Sequence, residues 1–219
     1  MSSKIFDPQY WNLETTFKQI YNVPVYQRPY SWDKEQVDVL LEDLFKAYTE
    51  DKTSGYYVGN IIVHDSNSKI NGNILKFEIV DGQQRITTFS LILLSLYCLA
   101  FERGVSENDK TIQNIKTALW KYVDRKYLKE LRTVNLNSIE KQAFQELYDY
   151  CYSAGKEGFD IRKYCSKYKK KNKFEERVFN NFATILDFIE STVISESDDE
   201  ILNLSLIHIS EPTRRVVIS

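Results

Sequence analysis

Ile86 to Phe101 is a run of 16 residues without a single charge, most of them apolar. Such a run has to be hidden from water. It falls short of the roughly 20 residues that span a bilayer, and Thr87, Thr88, Ser90 and Ser95 interrupt it. The spacing predicts a central helix buried on most sides, around which the rest of the chain must pack. With 42% apolar and 27% charged residues over 219 positions, the chain can build a core of that kind and keep a charged surface.

What precedes the run fixes its start. Phe77-Glu78-Ile79-Val80 reads as a strand, and Asp81-Gly82-Gln83-Gln84-Arg85 lies between strand and helix. A strand-to-helix handover presents unpaired backbone N–H groups and the positive end of the helix dipole, a natural seat for phosphate. The side chains suit the same task. Asp81 can hold a metal ion, Arg85 can fork onto phosphate oxygens, and the two glutamines can orient a water or a base. The competing reading is a plain helix cap, since Asp and Thr are ordinary cap residues and Gly82 allows a tight turn. Two amides and a guanidinium at the start of a buried helix, however, need partners.

Upstream, Pro24 and Pro29 force an extended path through Val23-Pro24-Val25-Tyr26-Gln27-Arg28-Pro29-Tyr30-Ser31-Trp32. Ser31 or Asp33 then caps a helix whose stripe is Val37, Leu40, Leu41, Leu44, Phe45 and Tyr48. Residues 56–64 read as a strand. Asn71-Gly72 signals the turn of a hairpin into a second strand over 74–80. Gly59, taken as lying within the first of these strands, suggests a close approach of ligand or backbone.

Three segments together, Val23–Trp32, Tyr57-Val58-Gly59-Asn60-Ile61-Ile62 and the Asp-Gly-Gln-Gln-Arg loop, resemble the N-terminal domain of GmrSD-type modification-dependent restriction systems, a branch of the ParB/sulfiredoxin-like fold. The resemblance is strongest over residues 10–105. It implies an α/β fold: a ParB/sulfiredoxin-like small sheet with helices over 1–105, then an all-helical subdomain over 106–204. It also implies a nucleotide site that binds and hydrolyses an NTP with Mg²⁺. Carried over residue by residue, Asp81, Gln84 and Arg85 become catalytic, with Asp81 also the metal ligand. Gly82 and Gln83 become nucleotide-binding; Thr87 and Thr88 join them through their hydroxyls or simply cap the helix, and Gln27 and Arg28 enter the same nucleotide-binding pocket or meet DNA phosphates. The role implied is a regulatory module of a cytoplasmic anti-phage system acting on modified DNA. Cleavage is left to an HNH-type nuclease fused downstream or supplied in trans. The alternative is a non-catalytic module that grips nucleotide or DNA and recruits that nuclease.

Other features narrow the field. A net charge of −2 and a pI of 5.8 leave DNA contact to a local patch. Lys169, Lys170 and Lys171, interleaved with aromatics, are the candidate for it, with a solvated loop as the plain alternative. Tyr30 and Trp32 are expected as core anchors, Gln27 and Arg28 as functional. Cys98, Cys151 and Cys165 are odd in number and widely spaced, as expected of reduced thiols in a cytosolic protein. Sulfiredoxin-like chemistry would need a thiol beside the phosphate loop, and Cys98 is too far along the helix. His64 and His208 build neither an HNH motif nor a hydrolase base, and P-loop spacing is absent.

Past Gly104 the spacing predicts helices over 110–131, 138–152 and 174–193. Residues 205–219 resemble translated sequencing-adapter sequence, and a non-native tail is expected there. The chain would then be the front end of a longer protein.

Overall fold

The central helix α3, Gln83–Glu102, is buried at every position from Gln83 to Ala100 except Arg85. It is long and apolar enough to cross a membrane by length and composition, but 89% of its apolar window is covered by the fold itself. Its hydroxyls cost little because each finds a local acceptor. Thr88, Ser90 and Ser95 donate to the carbonyls of Gln84, Ile86 and Leu91, each at 2.9 Å. The computed structural model describes residues 7–9, 11–50, 57–70, 74–124, 129–136, 139–193 and 216–218.

Around α3 the order is β1 Asp7–Gln9, α1 Leu13–Thr16, β2 Ile20–Asn22, α2 Lys34–Glu50, β3 Ile61–Ile70 and β4 Ile74–Asp81. After α3 come α4 Lys110–Leu119, β5 Trp120–Asp124, β6 Lys129–Arg132, β7 Val134–Asn135, α5 Lys141–Cys151, α6 Ile161–Lys167 and α7 Lys173–Phe188. A π-helical turn over Ile189–Val193 and β8 Val216–Ile218 close the sequence of elements. The main sheet is mixed, in the order β1-β8-β3-β4-β2-β7. β3 and β4 form the expected antiparallel hairpin, while β2 lies parallel to both β4 and β7. This α/β arrangement, a small sheet with many helices, is consistent with the ParB/sulfiredoxin-like expectation.

Three expectations are corrected. The strand expected from residue 56 begins only at Ile61 and runs on to Ile70, so Gly59 lies in the loop before it. The helix expected over 110–131 stops at Leu119, where Trp120 turns extended (φ −125°, ψ 134°). Trp120, Tyr122 and Val123 are strand-favouring types, and β5 pairs with β6 as a separate antiparallel ribbon. The part beyond residue 106 is also not purely helical, because β7 joins the main sheet beside β2. One continuous buried cluster runs from Leu13 to Ile189, with α3 packed against α4, α5 and α7 and α2 against α7. Val216–Ile218, within the tail expected to be foreign, lies between β1 and β3.

Candidate functional site

β4 ends at Asp81, and Gly82 makes the turn into α3 with φ 91° and ψ 8°, a left-handed conformation that suits glycine. A Cβ there would sit 3.0 Å from Asn60 O and from Ile61 Cα, both backbone atoms that cannot give way cheaply. α3 therefore starts without a side-chain cap and without an acidic residue in its first turn. The cap reading of the motif fails on this point: neither Asp81 nor a threonine caps the helix. The N–H groups of the leading turn and the positive dipole end are left for an external acceptor.

The opposite wall is the proline-bounded segment, held in place by the two glutamines. Gln83 Nε2 donates to Arg28 O. Gln84 Oε1 accepts from Ser31 N (2.8 Å) and Trp32 N (3.3 Å), and its Nε2 donates to Pro29 O at 3.3 Å. Gln27 Nε2 donates to Val80 O at 2.8 Å, tying the segment to β4. Distant parts of the chain complete the clamp. Glu140 Oε1 accepts from Tyr30 N at 2.9 Å, and Asn181 Nδ2 donates to Tyr30 OH (3.1 Å) and Trp32 O (2.8 Å). Arg177 Nε meets Asp33 Oδ1 at 2.7 Å.

Between these walls lies a pocket of 270 Å³ lined by Gln27, Arg28, Trp32, Asp81, Gly82, Gln83, Gln84 and Arg85. Seven of the residues expected at the site are thus brought together. Arg28 and Asp81 are exposed, and Arg85 is half-buried against Gly59 with Nη1 3.4 Å from Asn60 O. Among the described residues, none of these three charges is paired with an opposite one. Two guanidiniums and one carboxylate in a small pocket give it a net appetite for anions. Gln83 is 6% exposed, and its Oε1 is buried without a hydrogen-bond partner.

Thr87 and Thr88 are not in this pocket. They are 1% and 0% exposed and face the core, where Thr88 Oγ1 lies 2.8 Å from Tyr30 OH. The helical period explains Thr87, since a residue two beyond Arg85 points to the other side of the helix; Thr88 shares the face of Gln84 and Arg85 but lies one turn further along, beneath Tyr30. Lys169, Lys170 and Lys171 occupy the exposed link between α6 and α7, with Lys171 Nζ 2.9 Å from Gln142 Oε1. Tyr30 is the core anchor expected, and burial pushes its hydroxyl up to about 12. Trp32 departs from expectation: it lines the pocket instead of only filling the core. Gly59 does permit a close approach, but of Arg85, since a Cβ there would lie 2.7 Å from Arg85 Nε. Asn60, Glu140, Arg177 and Asn181 were missed. Only Asn60, beside Gly59, carried any local signal.

Among the described residues no cluster of three acidic, histidine or cysteine side chains could hold a metal alone. Asp81 still fits Mg²⁺, which in nucleotide sites is held through one or two carboxylates plus the substrate's phosphates. Cys98 is buried in α3 and does not line the pocket, so thiol chemistry has no place at this site.

A search of curated proteins found no match to the chain. The family model described as GmrSD restriction endonuclease, N-terminal domain, matches residues 12–215, nearly the whole chain. That span takes in both walls of the pocket and the helices that clamp them. The chain belongs to the GmrSD restriction endonuclease N-terminal domain family, and so is a component of a restriction system.

Proposed function

We propose that the junction pocket binds a nucleoside triphosphate with Mg²⁺ and hydrolyses it, as the regulatory step of a cytoplasmic anti-phage system directed at modified DNA. In this reading an HNH-type nuclease, fused downstream or in trans, performs the cleavage. The observation that carries it is the uncapped start of α3 beside two guanidiniums without described ion-pair partners. The N–H groups of that first turn and Arg85 would cradle the terminal phosphates. Arg28, on the opposite wall, would close over them. Phosphoryl transfer asks for positioning and charge neutralisation more than for covalent chemistry, and this set of groups offers both. Mg²⁺ on Asp81 would neutralise charge developing on the transferred group. Gln84 spends its amide on the 29–32 backbone, so its contribution is to position the wall and not to activate water.

The test is the melting temperature of the chain with Mg²⁺ and each NTP in turn, followed by phosphate release. A ligand at a hundred times its Kd adds about 2.7 kcal/mol of stability. A nucleotide-dependent rise that Arg85→Ala abolishes supports the site, and no rise from folded protein sinks it. One observation favours a second reading, binding without turnover. The pocket holds one carboxylate and no histidine, which leaves it short of a general base. A thermal shift with phosphate release no higher than that of Arg85→Ala would select this reading. The lysines 169–171 remain our candidate DNA contact. Their replacement by alanine would flatten the salt dependence of DNA binding.

A further inference from the structure

The phosphate pocket adjoins a larger groove of 500 Å³, and Trp32 and Arg85 line both. The groove differs in character from its neighbour. Its floor and walls include Val39, Leu40, Tyr57 and Val58, with Glu35 and Asp43 of α2 also lining it. Val39 and Tyr57 are 58% and 48% exposed, so the groove presents apolar surface to solvent. The Tyr57 ring is also held in place, since its hydroxyl donates to Asn60 Oδ1 at 2.6 Å. Asn60 O in turn lies 3.4 Å from Arg85 Nη1. The loop 57–60 thus shapes both compartments at once: Tyr57 faces the groove, and Gly59 and Asn60 seat the arginine of the phosphate pocket.

We infer that this groove is the nucleoside compartment of the same site. The inference rests on the nucleotide reading given above. A base lies against the Tyr57 and Trp32 rings and the Val39 side chain, and its phosphates run past Arg85 onto the start of α3. At 500 Å³ the groove falls within the range of about 300–1,000 Å³ typical of small-molecule sites, whereas the phosphate pocket alone falls below it. The acidic lining decides between two occupants. Glu35 offers an acceptor to the N–H edge of a nucleobase, but it repels the phosphates of a DNA strand laid along the groove. Aromatic rings with apolar neighbours stack a base of any identity, so the compartment adds affinity for nucleotides over inorganic polyphosphate.

The experiment compares binding of Mg²⁺-NTPs with binding of Mg²⁺-tripolyphosphate, by calorimetry, in the wild type and in Tyr57→Ala, Val39→Asp and Arg85→Ala. Val39 is an exposed position on α2, so its replacement leaves the core intact. The expected result is that NTPs bind the wild type more tightly than tripolyphosphate. Val39→Asp weakens NTP binding by removing apolar contact and adding a carboxylate to the groove. Tyr57→Ala weakens NTP binding about tenfold, the loss expected on removing one stacking surface, and leaves tripolyphosphate binding unchanged. Arg85→Ala weakens both. Equal affinity for NTP and tripolyphosphate in every protein overturns the nucleoside compartment while leaving the phosphate site standing. Binding of neither ligand by folded wild type removes the phosphate site and the compartment with it. Competition at the groove by an oligonucleotide but not by mononucleotides assigns it to DNA and likewise overturns the inference.

Discussion

The two ends of α3 are built on opposite plans. At its C-terminus the chain satisfies itself. Arg103 N donates to Leu99 O (3.1 Å), Gly104 N to Phe101 O (3.0 Å) and Val105 N to Ala100 O (3.0 Å), with Gly104 at φ 77°. This double closure is the Schellman arrangement that ends many helices. At its N-terminus Gly82 is also left-handed, yet no side chain caps the helix. Four other helices are capped by side chains, whereas α5, like α3, starts without one. Asn12, Asp109, Asp160 and Asn172 each accept from an N–H of the first turn of α1, α4, α6 and α7. The means to close the N-terminus of α3 were therefore available, and Gly82 leaves it open beside Arg28 and Arg85.

If the open end serves a ligand and the closed end serves the fold, variants at the two ends should separate binding from stability. Arg85→Ala has the largest expected effect. It should remove the whole nucleotide-induced stabilisation, about 2.7 kcal/mol at a hundredfold excess over Kd, while the ligand-free protein changes by no more than about 0.5 kcal/mol. A large loss of ligand-free stability would show that Arg85 serves the fold. Gly82→Ala comes next. Its Cβ meets backbone at 3.0 Å in a left-handed conformation, so we expect a loss of about 1–3 kcal/mol by denaturant titration, together with loss of the nucleotide response. Gly104→Ala sharpens the contrast. Nothing lies within 4 Å of the added Cβ, so only the conformational cost remains, about 1 kcal/mol, and the nucleotide response should be unchanged.

The open end was legible in the sequence because all its parts are local. A strand, a glycine and an uncharged run follow one another within a few residues, and their periods announce the elements. The β3–β4 hairpin and the α2 stripe were legible for the same reason. The far wall of the pocket was not. Tyr30 is held by Glu140 and Asn181, more than a hundred residues away, and a buried Asn or Glu on a helix looks in sequence like any solvated position. The glutamines show the limit most clearly. Adjacent and chemically identical, Gln83 and Gln84 read alike. The fold nevertheless spends both ends of Gln84 on the wall and leaves Gln83 Oε1 without a partner. The strands over 120–135 were missed because the apolar spacing of α4 continues past Leu119, while the β-favouring residues that end the helix are few.

A smaller effect tests another closed helix end. Lys121 is buried just past α4, where its ammonium donates to Thr117 O and, at 3.0 Å, to Ala118 O. Burial pushes its pKa down to about 7. The folded state then holds fewer protons than the unfolded chain between about pH 7 and the ordinary lysine value, so Lys121 makes stability rise with pH across that window. The two carbonyls favour the charged form. The slope should accordingly stay below the roughly 1.4 kcal/mol per pH unit of one full proton. Lys121→Met should flatten the difference in melting temperature between pH 7 and 8.5. A difference that stays the same in the variant would show that the ammonium remains charged when buried.

The smallest expected effect concerns the tail. Residues 205–219 resemble adapter sequence, yet Val216–Ile218 pairs with β1 and β3 at one side of the sheet. The family match runs to residue 215 and ends just short of this strand. β8 is three residues long, and the pocket's walls come from β4, α3 and the segment 23–32, with no residue of the tail among the lining groups. A short added strand contributes a few ladder hydrogen bonds of about 1 kcal/mol net each at most, partly offset by the entropy of ordering it. Ending the chain at Leu204 should therefore shift the melting temperature by only a few degrees and leave the nucleotide-induced shift intact. Loss of that shift on truncation would make β8 part of the working fold and count against a foreign origin for the tail. An unchanged shift would confine the function to the elements clamped around the open end of α3.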